Sequence, residues 1–71
     1  MTVTLSKKFD FCGCKNIFKN NKKIGDVLKE ENYFLIRVSK NRNDGSQIHK
    51  EIKTDNENMI ICLIRNFLNQ H

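Results

Sequence analysis

Asn43-Asp44-Gly45 constrains the fold of this chain more than any other stretch. These residue types favour tight turns and left-handed backbone. The segments on either side have the character of strands. Tyr33-Phe34-Leu35-Ile36-Arg37-Val38-Ser39 is rich in aromatic and β-branched residues. Gln47-Ile48-His49-Lys50-Glu51-Ile52-Lys53 alternates apolar and polar with period two. A hairpin over about 33–40 and 47–53 is therefore expected. Two loops fit it. A two-residue Asp44-Gly45 turn puts Val38 on the face of Glu51 and Arg37 beside Ile52. A three-residue loop, with Gly45 left-handed as a bulge, sets Ile36 opposite Ile52 and Arg37 opposite Glu51. The second register keeps one apolar face and makes a cross-strand ion pair, so it is the one expected.

A closing helix follows. Thr54-Asp55-Asn56-Glu57 has the form of a capping box, which predicts a helix over about 55–70. Ile60, Leu63, Ile64 and Phe67 share one face, flanked by Met59 and Leu68. The run Met59 to Ile64 also fits a buried strand, but the cap and the spacing through Phe67 favour the helix. Ile61 and Cys62 lie off the stripe. They indicate burial on more than one side, or else a partner surface or, for Cys62, a ligand.

Earlier in the chain, Thr2-Val3-Thr4-Leu5 alternates as a short strand. Phe9 and Phe11 continue its parity, which extends it to Cys12 after a kink. Asn20 to Lys23 reads as a polar turn. Ile24, Val27 and Leu28 have i, i+3, i+4 spacing, which predicts a short helix over about 22–30 despite Gly25. The expected fold class is α+β. It is a single domain over 1–71, with a small antiparallel sheet of two to three strands packed by the C-terminal helix.

A chain of 71 residues builds a small core. Such cores rarely supply more than about 3–5 kcal/mol, which leaves room for a metal, a partner or a second copy. No apolar run is long enough to span a membrane, and the N-terminus lacks the apolar core of a signal peptide. The three cysteines are then expected to be reduced and cytoplasmic, in the host cytoplasm if the gene is a phage's. Pro and Trp are absent, while Lys, Asn and Ile abound, a bias typical of an AT-rich genome such as a low-GC bacterium or its phage.

Charge is uneven along the chain. Residues 1–29 hold seven lysines and two aspartates, a net +5, and residues 30–71 are neutral. A cluster of this kind attracts phosphate backbones or acidic protein surfaces, or is simply a solvated face. The candidate partner or nucleic-acid residues are Lys7, Lys8, Lys15, Lys19, Lys22 and Lys23, with Tyr33 and Arg37 on the outer face of the hairpin.

Cys12-Gly13-Cys14 places two thiols where one ion can take both. Zinc needs four ligands, and the candidate set for a structural zinc is Cys12, Cys14, Cys62 and His49, with His71 and Asp10 as further donors. The plain alternative is a pair of small, partly buried thiols in a turn. For catalysis the chain offers only His49 with Glu51 on an outer face, and no phosphate-cradling glycine loop. It is not expected to be an enzyme.

Leu35-Ile36-Arg37-Val38, then Asn43-Asp44-Gly45, then a helix opened by Asp55-Asn56-Glu57-Asn58 resembles the small phage-encoded anti-CRISPR proteins over about half the chain. The resemblance implies a non-catalytic phage or mobile-element protein. It would bind an RNA-guided nuclease ribonucleoprotein and hinder guide or target loading. Two other classes stand beside it. One is a zinc-stabilised module that binds DNA or RNA through the lysine-rich N-terminal part. The other is a homodimer formed through Ile61 and Cys62.

Overall fold

The computed structural model describes residues 2–70. Among these residues, five strands follow one another in chain order as a single antiparallel sheet. They are β1 (Val3–Leu5), β2 (Cys14–Lys19), β3 (Lys22–Lys29), β4 (Phe34–Asn41) and β5 (Gln47–Thr54). A 3-10 turn, Glu57–Met59, then leads into α1 (Ile60–Asn69). The protein is thus mostly sheet, which corrects the expected α+β class with two or three strands.

The correction lies in β2 and β3. Asn20 and Asn21 have φ of 53° and 69°, the left-handed pair that makes a two-residue hairpin turn. Asn20 is also tied to the first strand, since its N–H donates to the Thr2 carbonyl at 3.0 Å and its side-chain oxygen accepts from Thr2 N–H at 3.2 Å. The chain that leaves this turn must run back along β2. Residues 22–29 are therefore strand, not helix. The helical spacing was real but had another cause. The pairing passes from Ile17–Gly25 to Phe18–Lys23, leaving Ile24 as an extra residue. Such a bulge breaks the two-residue alternation, so Ile24 and Val27, three apart, both pack against the core.

The β4–β5 hairpin has the expected register, with Ile36 opposite Ile52 and Arg37 opposite Glu51. Gly45, at φ +89°, closes a three-residue loop. Arg42 N–H donates to the Ser46 carbonyl at 2.7 Å, and Gly45 N–H to the Arg42 carbonyl at 3.1 Å. The expected ion pair did not form with Glu51. Arg37 turns to β3, where Nε and Nη2 each donate to Asp26 at 2.8 Å. Asp26 sits directly opposite Arg37 across β3–β4 and takes the guanidinium fork with both oxygens, the stronger arrangement.

Asp44 braces the hairpin tip. Its Oδ1 accepts from Ser46 N–H at 2.9 Å and Ser46 Oγ at 2.6 Å. The Ser46 hydroxyl, then its N–H, holds the carboxyl below the ordinary aspartate value of 3.8. A depressed folded pKa means the tip is supported above the ordinary value and loses that support as pH falls through the lowered one. The protection of the Gly45 and Ser46 amides, taken relative to their intrinsic exchange rates at each pH, is expected to fall in that acid window, and Asp44→Asn should flatten the response.

The core lies between one sheet face and α1. Val3, Ile17, Val27, Ile36 and Val38 come from the sheet, and Ile60, Ile64 and Phe67 from the helix. The helical stripe is as expected, except that Met59 is exposed. Ile61 is half-buried against the core, whereas Cys62 is exposed. The start of the helix differs. Thr54 is still paired with Phe34 at the end of β5, so its hydroxyl accepts from Asn56 N–H instead of capping a helix. Asn56 takes over, accepting from Asn58 N–H at 3.0 Å, and the α-helix begins only at Ile60.

Candidate polyanion-binding pole

Consecutive strands run in opposite directions, so every second connection falls at the same end of the sheet. The β2–β3 turn and the β4–β5 hairpin tip are neighbours there, and α1 ends beside them. Among the described residues, Lys19, Lys22, Lys23, Lys40 and Arg42 gather at this pole with one carboxylate, Asp44. At the opposite end Lys7, Lys8, Lys15, Lys29 and Lys53 are matched in number by Asp10, Glu30, Glu31, Asp55 and Glu57. Nearly all of the net charge therefore sits at one pole. A pole of this kind concentrates anions and speeds their encounter.

A groove of about 340 Å³ opens at the pole, lined by Lys19, Lys22, Lys23 and Lys40 together with the amides of Asn20, Asn41 and Gln47. Lys40 is already committed. Its Nζ donates to the Phe67 carbonyl at 2.7 Å and to the Gln70 carbonyl, and it lies 4.8 Å above the Phe67 ring. It closes the C-terminus of α1, where unpaired carbonyls favour a cation.

The remaining candidates fall elsewhere. Lys7 and Lys8 are exposed on the loop after β1, at the neutral end. Lys15 is half-buried, 4.6 Å above the Phe9 ring and 3.8 Å from Glu57, so it serves the fold. Tyr33 precedes β4 and carries Lys53 Nζ at 5.1 Å over its ring. Arg37 is bound to Asp26 on the sheet face away from the helix. A shallow depression on that face is lined by Asp26, Arg37, His49 and Glu51, where opposite charges offset one another.

The proposed metal ligands are dispersed. Cys12 lies in the loop before β2 and Cys14 is the first residue of that strand, both close to Asp10. His49 is on β5, three strands from β2. Cys62 is on the helix, across the sheet from the Cys14 face. Neighbouring strands are roughly 4.8 Å apart, so these residues do not share one ion in this arrangement. Among the described residues no group of three or more His, Cys, Asp or Glu could hold a metal. His71 lies outside the described residues. Asp10 organises the cysteine loop by itself, with Oδ1 accepting from both Cys12 N–H and Cys14 N–H at 2.9 Å. Burial raises the Cys14 thiol pKa, and the charges of Asp10 and Asp26 add to the rise. That favours the thiol over the metal-binding thiolate.

The chain matches no protein-family model, no curated protein and no solved structure. Function therefore rests on the site. Lys40 and Arg42 belong to the neutral half of the sequence, and nothing in the order of residues marks them as neighbours of Lys22. The first strand does not extend to Cys12 as its parity suggested: β1 ends at Leu5, and Phe11 is wholly exposed (101 %). No helix among the described residues is long and apolar enough to cross a membrane.

Proposed function

We propose that this chain is a non-catalytic nucleic-acid-binding module that sets its cationic pole against a phosphate backbone. The observation that carries this reading is the concentration of lysines at one pole, around a groove with no carboxylate in its lining among the described residues. Backbone binding of this type releases counterions, and affinity falls linearly with salt on logarithmic axes. Titration of a labelled oligonucleotide at rising salt is the test. The double variant Lys22→Gln, Lys23→Gln is expected to weaken binding for every sequence and lower the salt slope by about 2. No binding at low salt would remove the reading.

Phe11 favours a second reading, in which the chain inhibits a nucleic-acid-handling enzyme, such as an anti-CRISPR protein acting on an RNA-guided nuclease. An exposed aromatic on a loop braced by Asp10 is a preorganised anchor for a protein pocket. Slowed target cleavage that Phe11→Ser abolishes, and Lys22→Gln with Lys23→Gln leaves intact, would favour this reading over the first. Either role belongs in the cytoplasm, where free thiols such as these stay reduced, and in the host cytoplasm for a phage gene.

A further inference from the structure

We propose that the groove between the β2–β3 turn and the β4–β5 hairpin is a seat for one phosphate group, held by Lys19, Lys22 and Lys23, with Lys40 as its wall and not a ligand. The nucleic-acid reading supplies the natural source of that phosphate.

Lys19 and Lys22 are direct cross-strand partners. Like charges in that relation repel and destabilise a hairpin. Lys23, opposite Phe18, lines the groove from the other face of β3. The turn cannot splay to separate Lys19 from Lys22. Asn20 and Asn21 fix it in the left-handed conformation, and Thr2 ties Asn20 down from both its N–H and its carbonyl. An anion between the ammonium groups turns repulsion into attraction. The other lining groups suit an anion as well. The oxygen of Asn20 already accepts from Thr2, so what its side chain has to offer is the NH2 donor. Asn41 and Gln47 carry the same donor, and among the described residues no carboxylate lines the groove. Asp44, the acidic group of this pole, is held to its own loop by Ser46. Lys40 Nζ is taken by the carbonyls of Phe67 and Gln70, so its part is to hold α1 beside the groove.

A ligand that binds only the folded state raises the melting temperature. The probes are pyrophosphate and a short oligonucleotide, each compared with chloride at equal ionic strength. Wild type is expected to melt higher with both. Lys22→Gln is expected to melt at or above wild type in chloride, because repulsion is gone. It should lose the response to both probes and bind the oligonucleotide about tenfold more weakly. Lys40→Met should melt lower in every solution yet keep the response. If pyrophosphate acts and the oligonucleotide does not, the seat stands for a small phosphate-bearing molecule and the nucleic-acid reading fails. If the oligonucleotide binds wild type and Lys22→Gln equally, the seat fails and the reading moves to another surface. If neither probe acts, both are lost.

Discussion

Gly25→Ala is expected to leave the chain largely unfolded. Gly25 lies on β3 opposite Val38, beside the bulge at Ile24. A Cβ added there would overlap the Arg37 carbonyl oxygen and stand 2.9 Å from the Val38 Cα. Both obstacles are backbone of the neighbouring strand, so no side chain can swing aside. Relief requires β3 and β4 to separate, which also pulls apart Val27 and Ile36, two buried residues that face each other across the pair. Overpacking typically costs about 1–3 kcal/mol, and this site belongs at the top of that range because only backbone atoms can yield. A domain of this size has roughly 3–5 kcal/mol in total. Circular dichroism and a thermal melt would check it. A cooperative transition near the wild-type temperature would show that the strands can accommodate a methyl group, and the tight β3–β4 pairing described above would be wrong.

Phe67→Ala should be comparably severe. The ring is 3 % exposed and closes the core beneath the end of α1. Removing it leaves a cavity, and buried Phe→Ala changes cost about 3–5 kcal/mol. Lys40 would also lose the aromatic face beneath its ammonium group, worth about 0.5–1 kcal/mol at a partly exposed site. Urea denaturation should show a greatly reduced midpoint or no folded baseline. Phe11→Ser is the contrast. Its ring is fully exposed, so stability should move by no more than about 0.5 kcal/mol. Similar losses for the two variants would mean that Phe11 is packed in solution, and its part in partner recognition would fall.

The two phenylalanines show where reading by pattern holds and where it stops. Phe67 follows Ile60 and Ile64 at helical spacing, and a stripe of that length has one plausible use. Phe11 shares strand parity with Val3 and Leu5, but parity has meaning only while the strand lasts. Asp10 ends that possibility by accepting two backbone N–H groups in a turn. The β4–β5 register was legible because a one-residue slip would expose Ile36 and Ile52 together. The partner of Arg37 was not, because Asp26 comes from a strand whose apolar spacing imitates a helix. In β3 the bulge at Ile24 and the close approach at Gly25 both answer to neighbouring strands, and neither leaves a local signature that separates strand from helix.

Residue order alone established the turn at Asn43-Asp44-Gly45, the apolar face of Ile36 and Ile52, and the helical stripe ending at Phe67. Each depends on backbone torsions or side-chain periodicity within a few neighbouring residues. Packing of the strands established everything about the cationic pole. Lys22 lies 18 positions before Lys40 and 20 before Arg42, and they meet because alternate connections of an antiparallel sheet return to one end. Electrostatic potential sums over distance in space, so a charge count along the chain located the excess in the N-terminal part, while the fold kept three of those seven lysines at one tip, added two cations from the half that counts as neutral, and set the other four lysines among carboxylates at the far end.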